Sequence, residues 1–152
     1  MKNTARWAIA LVCLLVATTA ALAQQKDASG CKDHPMFTRM PGGYWIYKCV
    51  DKQFDAHTFV TGAGKTTTVE GRKSTWTYYP QATAKEKPSE LQIRRNFEAA
   101  IQKAGGKVVG ADKGRETFTL TADGKEVWVE VWAEFTGKYG FHDLRHAAAS
   151  GW

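Results

Sequence analysis

EVWVEVWAEF, Glu126 to Phe135, alternates without a break. Val127, Val129, Val131, Ala133 and Phe135 fall on one side, and Trp128, Glu130, Trp132 and Glu134 on the other. A period of two belongs to a strand, because successive side chains point to opposite faces. Asp123-Gly124 just before it is a strong hairpin signal. Thr117 to Thr121, with Phe118 and Leu120 on one face, supplies the preceding strand.

Working outward from this hairpin, Lys107 to Val109 starts another strand, and before it lies the one good helix. Ser89 and Gln92 after Pro88 make a capping-box pair, which satisfies free N–H groups of the first turn. Ile93, Phe97, Ala100, Ile101 and Ala104 recur at helical spacing, with Arg95, Glu98 and Gln102 opposite. Gly105-Gly106 ends the run, since glycine accepts the left-handed backbone of a helix exit. Further back, Tyr44 to Val50, Phe54 to Val60, Lys65 to Glu70 and Trp76 to Tyr79 are rich in aromatic and β-branched residues and are expected as strands. The expectation is a single α+β domain: an antiparallel sheet with one main helix packed on a face.

The start of the chain bounds the setting. Lys2 and Arg6 precede an apolar run, Trp7 to Val16, and small residues lead to Ala21-Leu22-Ala23. That is the pattern of a signal peptide, expected to be cleaved after residue 23, and its apolar run is too short to span a bilayer. Cys13 sits inside that run behind Val12, so it is not a lipid attachment site. Cleavage leaves 129 of the 152 residues, with Gln24 first and a polar, flexible stretch to Gly30. The leader carries two bases and no acid, so the formal charge falls from +6 to +4. Scattered charge of this size suits an anionic surface and gives little reason to expect nucleic acid as a partner. No integral membrane segment is expected after cleavage.

Cys31 and Cys49 remain, and an oxidising compartment pairs them. Closing that loop is worth roughly 3 kcal/mol in the chain-entropy picture. A metal site built from Cys31, His34, Cys49 and His57 is the rival, but this spacing matches no compact zinc module. No metal and no cofactor are expected. Asp55 and His57 read as a solvent-facing pair without a role.

Candidate chemistry is thin. Thr61-Gly62-Ala63-Gly64-Lys65-Thr66 imitates a phosphate-binding loop, yet the required first glycine is Phe59 and the following residues prefer strand, so it reads as a hairpin turn. Glu130 and Glu134 on one strand face lie about 13 Å apart, wider than the roughly 5 to 9.5 Å of glycosidase carboxylate pairs. The Trp128/Trp132 face has two readings: a groove for glycan or peptide, or a face covered by another segment, which is the commoner fate of large aromatic surfaces. No catalytic constellation precedes residue 141, so the protein is expected not to be an enzyme.

Gly30-Cys31-Lys32-Asp33-His34-Pro35-Met36-Phe37-Thr38-Arg39-Met40-Pro41, Tyr79-Pro80-Gln81-Ala82-Thr83, Pro88-Ser89-Glu90-Leu91-Gln92-Ile93 and Trp128 to Phe135 together resemble the N-terminal module of exported bacterial OmpA-like proteins, over about residues 30–140. The resemblance implies a periplasmic or outer-membrane-associated protein with a structural or interaction role among cell-envelope components. In that family a peptidoglycan-binding domain follows the module, and its ligand-holding Asp and Arg have no counterpart here. Peptidoglycan binding is therefore not expected of this product. The alternative function is a free periplasmic domain that holds a glycan or peptide on the Trp128/Trp132 face.

The last segment, FHDLRHAAASGW, is similar to the His-x-x-Arg box of tyrosine recombinases (phage integrases). That resemblance implies phosphate contact by His142 and Arg145, but the further arginine, lysine and tyrosine nucleophile of the family are missing. Residues 141–152 are thus expected to be an unrelated tail, an inactive recombinase-like remnant dispensable to the fold. Leu144, Ala148 and Trp152 at helical spacing would form at most one docked turn.

Overall fold

The computed structural model describes residues 24–84, 87–136 and 141–150, the last ten as backbone. Residues 1–23, where the signal peptide is expected, and residues 85–86, 137–140 and 151–152 lie outside the described residues. Six strands and one helix follow one another: β1 (Tyr44–Gly62), β2 (Lys65–Pro80), α1 (Glu90–Lys103), β3 (Lys107–Asp112), β4 (Arg115–Ala122), β5 (Lys125–Thr136) and β6 (Phe141–Ser150). All pair antiparallel in one sheet of order β1-β2-β6-β5-β4-β3, which is the α+β arrangement expected.

The helix forms where its signals stand. Ser89 Oγ accepts the Gln92 N–H at 3.1 Å, and Ile93, Phe97 and Ile101 are its buried stripe. Gly105 leaves the helix at φ +85°, a conformation that glycine takes without strain. The stripe packs on Phe118, Val129 and Val131, and the cluster extends through Ile46 and Tyr78. Asp123 and Gly124 both have positive φ, as the two-residue turn between β4 and β5 requires.

Two expectations change. The four short segments predicted before the helix merge into two long strands. One extra residue in β1 at each of two bulges, between Ile46 and Lys48 and between Lys52 and Asp55, keeps the pairing while bending the strand. The second change concerns the tail. Residues 141–150 form β6, a strand between β2 and β5, and not a helical turn beside the fold. Leu144, His146 and Ala148 share register with Tyr78/Ala133, Trp76/Val131 and Ser74/Val129, the helix-facing side of the sheet. A central strand needs two backbone ladders more than bulky side chains, and its flanking strands carry the large residues.

The N-terminal segment is tied down over the helix-side core. Arg39 donates to both carboxylate oxygens of Asp27 at 2.8 and 2.7 Å and to those of Asp33 at 3.1 and 3.0 Å. Asp27 also accepts the Ile46 N–H, and the Tyr78 hydroxyl donates to Asp33. The Arg39 guanidinium, against the opposing effect of burial, holds the Asp27 carboxyl below the usual carboxylate range, while burial and then the Asp33 carboxylate raise the Tyr78 phenol. The expected bond between Cys31 and Cys49 is present, joining this segment to β1.

Candidate binding cleft on the concave face

The sheet has a second face, away from the helix, and the register says what lies on it. Lys73, Thr75 and Thr77 of β2 stand opposite Ala149, Ala147 and Arg145 of β6, and these stand opposite Trp128, Glu130 and Trp132 of β5. Thr119, Thr117 and Arg115 of β4 continue the rows. This face is concave. The bent far half of β1 arches over it until the two edge strands, β1 and β3, meet at Thr61 and Gly110. A Cβ on Gly110 would lie only 2.3 Å from the Thr61 carbonyl carbon.

The arch covers the deep half. Phe59, fully buried, lies on Trp128 with ring centres 5.4 Å apart. His57 Nε2 stands 3.2 Å from Glu130 Oε1, in edge contact with Phe59. Glu130 is 5% exposed; its Oε2 and the neighbouring Thr117 Oγ1 have no hydrogen-bond partner among the described residues. Trp132 carries the Arg115 guanidinium 4.3 Å above its ring. The Trp128/Trp132 face is thus partly covered from within the chain, Trp128 by Phe59 of the arch and Trp132 by Arg115, and both rings are half-buried. His57, assigned no role from sequence, is half-buried against Glu130. Its signal was the alternation of Asp55, His57 and Phe59, which is as regular as that of Ala56, Thr58 and Val60.

The shallow half stays open, as a cleft of about 450 Å³ lined by Tyr47, Lys48, Val50, Lys52, Asp55, Lys73, Thr75, Thr77 and Tyr79. At one end the rings of Tyr47 and Tyr79 stack, centres 4.8 Å apart and 17° from parallel, with Trp45 edge-on to both. Tyr47 is 51% exposed, so this stack is a platform and not core. The extra residue of the first bulge lets Tyr47 and Lys48 both reach the cleft. At the other end Asp55 accepts from Lys52 at 2.8 Å, from Lys73 at 3.4 Å and from the Ala56 N–H. Those donors bring its carboxyl down to about 2, which keeps it ionised and the two ammonium groups in place. Lys48 has no ion-pair partner among the described residues. Sequence reading took Tyr47, Lys48, Val50, Thr77 and Tyr79 only as strand residues and Asp55 as solvent-facing without a role.

A second cleft of similar size opens on the helix side, between the His34 loop and the β4–β5 turn. His34 stacks on Phe37, meets Trp76 edge-on, and accepts the Met36 N–H on Nδ1. Burial and the nearby Arg72 cation lower its pKa. Arg72 grips Asp51, which also accepts from Ser74 at 2.6 Å.

The other sequence candidates separate. Cys31 and Cys49 are bonded to each other, while His34 and His57 lie apart, on the helix side and the concave side. Among the described residues no group of three or more His, Cys, Asp or Glu converges as a metal site. His142 and Arg145, three apart in a strand, fall on opposite faces of the sheet. Among the described residues no helix is long and apolar enough to cross a membrane. Compared with family models, curated proteins and solved structures, the chain matches none.

Proposed function

We propose that this chain is a non-enzymatic protein of the bacterial cell envelope, exported to the periplasm, that holds an envelope component on its concave face. It is the N-terminal module of an OmpA-like protein in this reading, and its role is interaction. The observation that carries the reading is the open cleft in which the Tyr47/Tyr79 platform faces three lysines. Ligand sites combine an apolar or aromatic wall with a few placed polar groups, and this cleft does so. The bonded Cys31 and Cys49 support an oxidising compartment. The glycan-or-peptide reading from sequence is kept, with its platform moved from Trp128 and Trp132, which are partly covered, to Tyr47 and Tyr79.

Fractionation of a Gram-negative host that expresses the full gene tests both halves. The expected periplasmic product begins at Gln24 and has no free thiol, and it sediments partly with the envelope. Tyr47→Ala with Lys48→Ala should shift it to the soluble periplasm. A cytoplasmic product with Met1 intact overturns the location, and an unchanged distribution of the double variant overturns the site.

A further inference from the structure

The chemistry of the open cleft narrows its ligand. We propose that it binds an acidic oligosaccharide, one whose sugar rings carry carboxylates. The inference rests on the reading of the concave face as the interaction site and names what that site takes.

Three features select this class. The Tyr47/Tyr79 stack offers flat ring faces of negative potential, with Trp45 bracing them from the edge. A sugar ring presents a face of C–H groups, weakly positive and apolar, that fits such a platform without a formal charge. Cations come next. Among the described residues, Lys48, Lys52 and Lys73 border the cleft with Asp55 as the one acid, so the lining has an excess of positive charge. Asp55 binds Lys52 and Lys73 side by side and so spaces two cations along the wall, while Lys48 stands beside the platform. An anion held there meets charge-assisted hydrogen bonds, which are stronger than neutral ones. Last, the Thr75 and Thr77 hydroxyls, donors as well as acceptors, line the same wall and suit a ligand dense in hydroxyl groups.

The cleft volume of about 450 Å³ lies within the usual range of small-ligand sites, roughly 300 to 1,000 Å³. A single-stranded nucleic acid also offers stacking and negative charge. The platform here is a single stacked pair, and one pair serves one ring rather than the succession of bases that such proteins usually stack. An acidic glycan needs one platform and repeating charge, which is what the wall provides.

Calorimetric titration of the folded, disulfide-bonded protein with tetragalacturonate, neutral cellotetraose and octathymidylate tests this. Tetragalacturonate should bind, and cellotetraose at least tenfold more weakly. Tyr47→Ala and Lys48→Ala should each weaken tetragalacturonate about tenfold, or about 1.4 kcal/mol. Lys107→Ala, which removes the same charge from exposed β3, should change it less than twofold. Unfolding curves of all variants identify any loss of fold. No binding of tetragalacturonate, equal binding of cellotetraose, tighter binding of octathymidylate, or an equal effect of Lys107→Ala and Lys48→Ala would each overturn the proposal. Cellotetraose binding lost in Tyr47→Ala would leave the interaction site standing and remove only its acidic ligand.

Discussion

Replacing Gly110 by alanine adds one methyl group where the two edge strands touch. An ideal Cβ there would sit 2.3 Å from the Thr61 carbonyl carbon and 2.6 Å from both the Thr61 oxygen and the Gly62 nitrogen. Carbon atoms in contact prefer about 3.5 to 4.0 Å, so β1 and β3 must part by roughly an ångström. All three close atoms are backbone, and no side chain can rotate away. Overpacking usually costs about 1–3 kcal/mol, and a backbone clash belongs at the upper end. Parting the strands also lifts Phe59 from Trp128 and His57 from the buried Glu130 carboxylate. We therefore expect about 3 kcal/mol of destabilisation, read as a lower urea midpoint with an unchanged slope, and a fall of roughly 10 °C in Tm. Tryptophan emission should shift to the red as Trp128 is uncovered. Adding Thr61→Ala should not restore stability, because the clash is not with its side chain. A midpoint within about 0.5 kcal/mol of wild type, the range of ordinary surface changes, would refute the closed seam.

Other expectations follow from the same structure. Ending the chain after Gly140 removes a strand with seven register pairs to β2 and ten to β5. At about 1 kcal/mol net per hydrogen bond that loss rivals the whole stability of a small domain, about 5–15 kcal/mol. The shortened chain should show no cooperative unfolding by circular dichroism, and a wild-type transition would place β6 outside the fold. Acid should act in two steps. The His34 pKa is depressed by burial, so the unfolded chain takes its proton first and stability begins to fall as pH drops below about 6.5. Asp27, Asp51 and Asp55 are depressed by their cations and hydrogen bonds, so their contributions are complete above the usual carboxylate value and fade below pH 4. Glu116, raised by burial and by Glu98, opposes this trend. Urea midpoints from pH 8 to 3 check the sequence, and His34→Gln should flatten only the upper step.

Much of this fold was legible. The alternation of Val127 to Ala133 against Trp128 to Glu134 gave β5 and both its faces, and Ser89, Gln92 and Gly105 marked the ends of α1. Those are local signals, set by one residue and its neighbours a few positions away. The tail was misread because Ala147, Ala148 and Ala149 carry little hydrophobic surface. Their place follows from the backbone groups that β2 and β5 leave free on facing sides, which no local pattern records. The cleft was hidden for a related reason. Tyr47 and Tyr79 are ordinary strand formers in sequence, and they become a platform only when a bulge brings Tyr47 and Lys48 to the same wall. His57 meets Glu130 only because β1 bends over the sheet, a long-range consequence of two extra residues.

In the proposed function the open half of the concave face is the working surface. Amide and side-chain chemical-shift mapping of the isotope-labelled protein, titrated with tetragalacturonate, checks this residue by residue. Shifts should concentrate on Tyr47, Lys48, Lys73, Thr75 and Tyr79, with Trp128 and Phe59 nearly still. Shifts centred on His34, Trp76 and Val127 would put the site in the helix-side cleft, and shifts led by Trp128 would mean that the arch of β1 does not cover it.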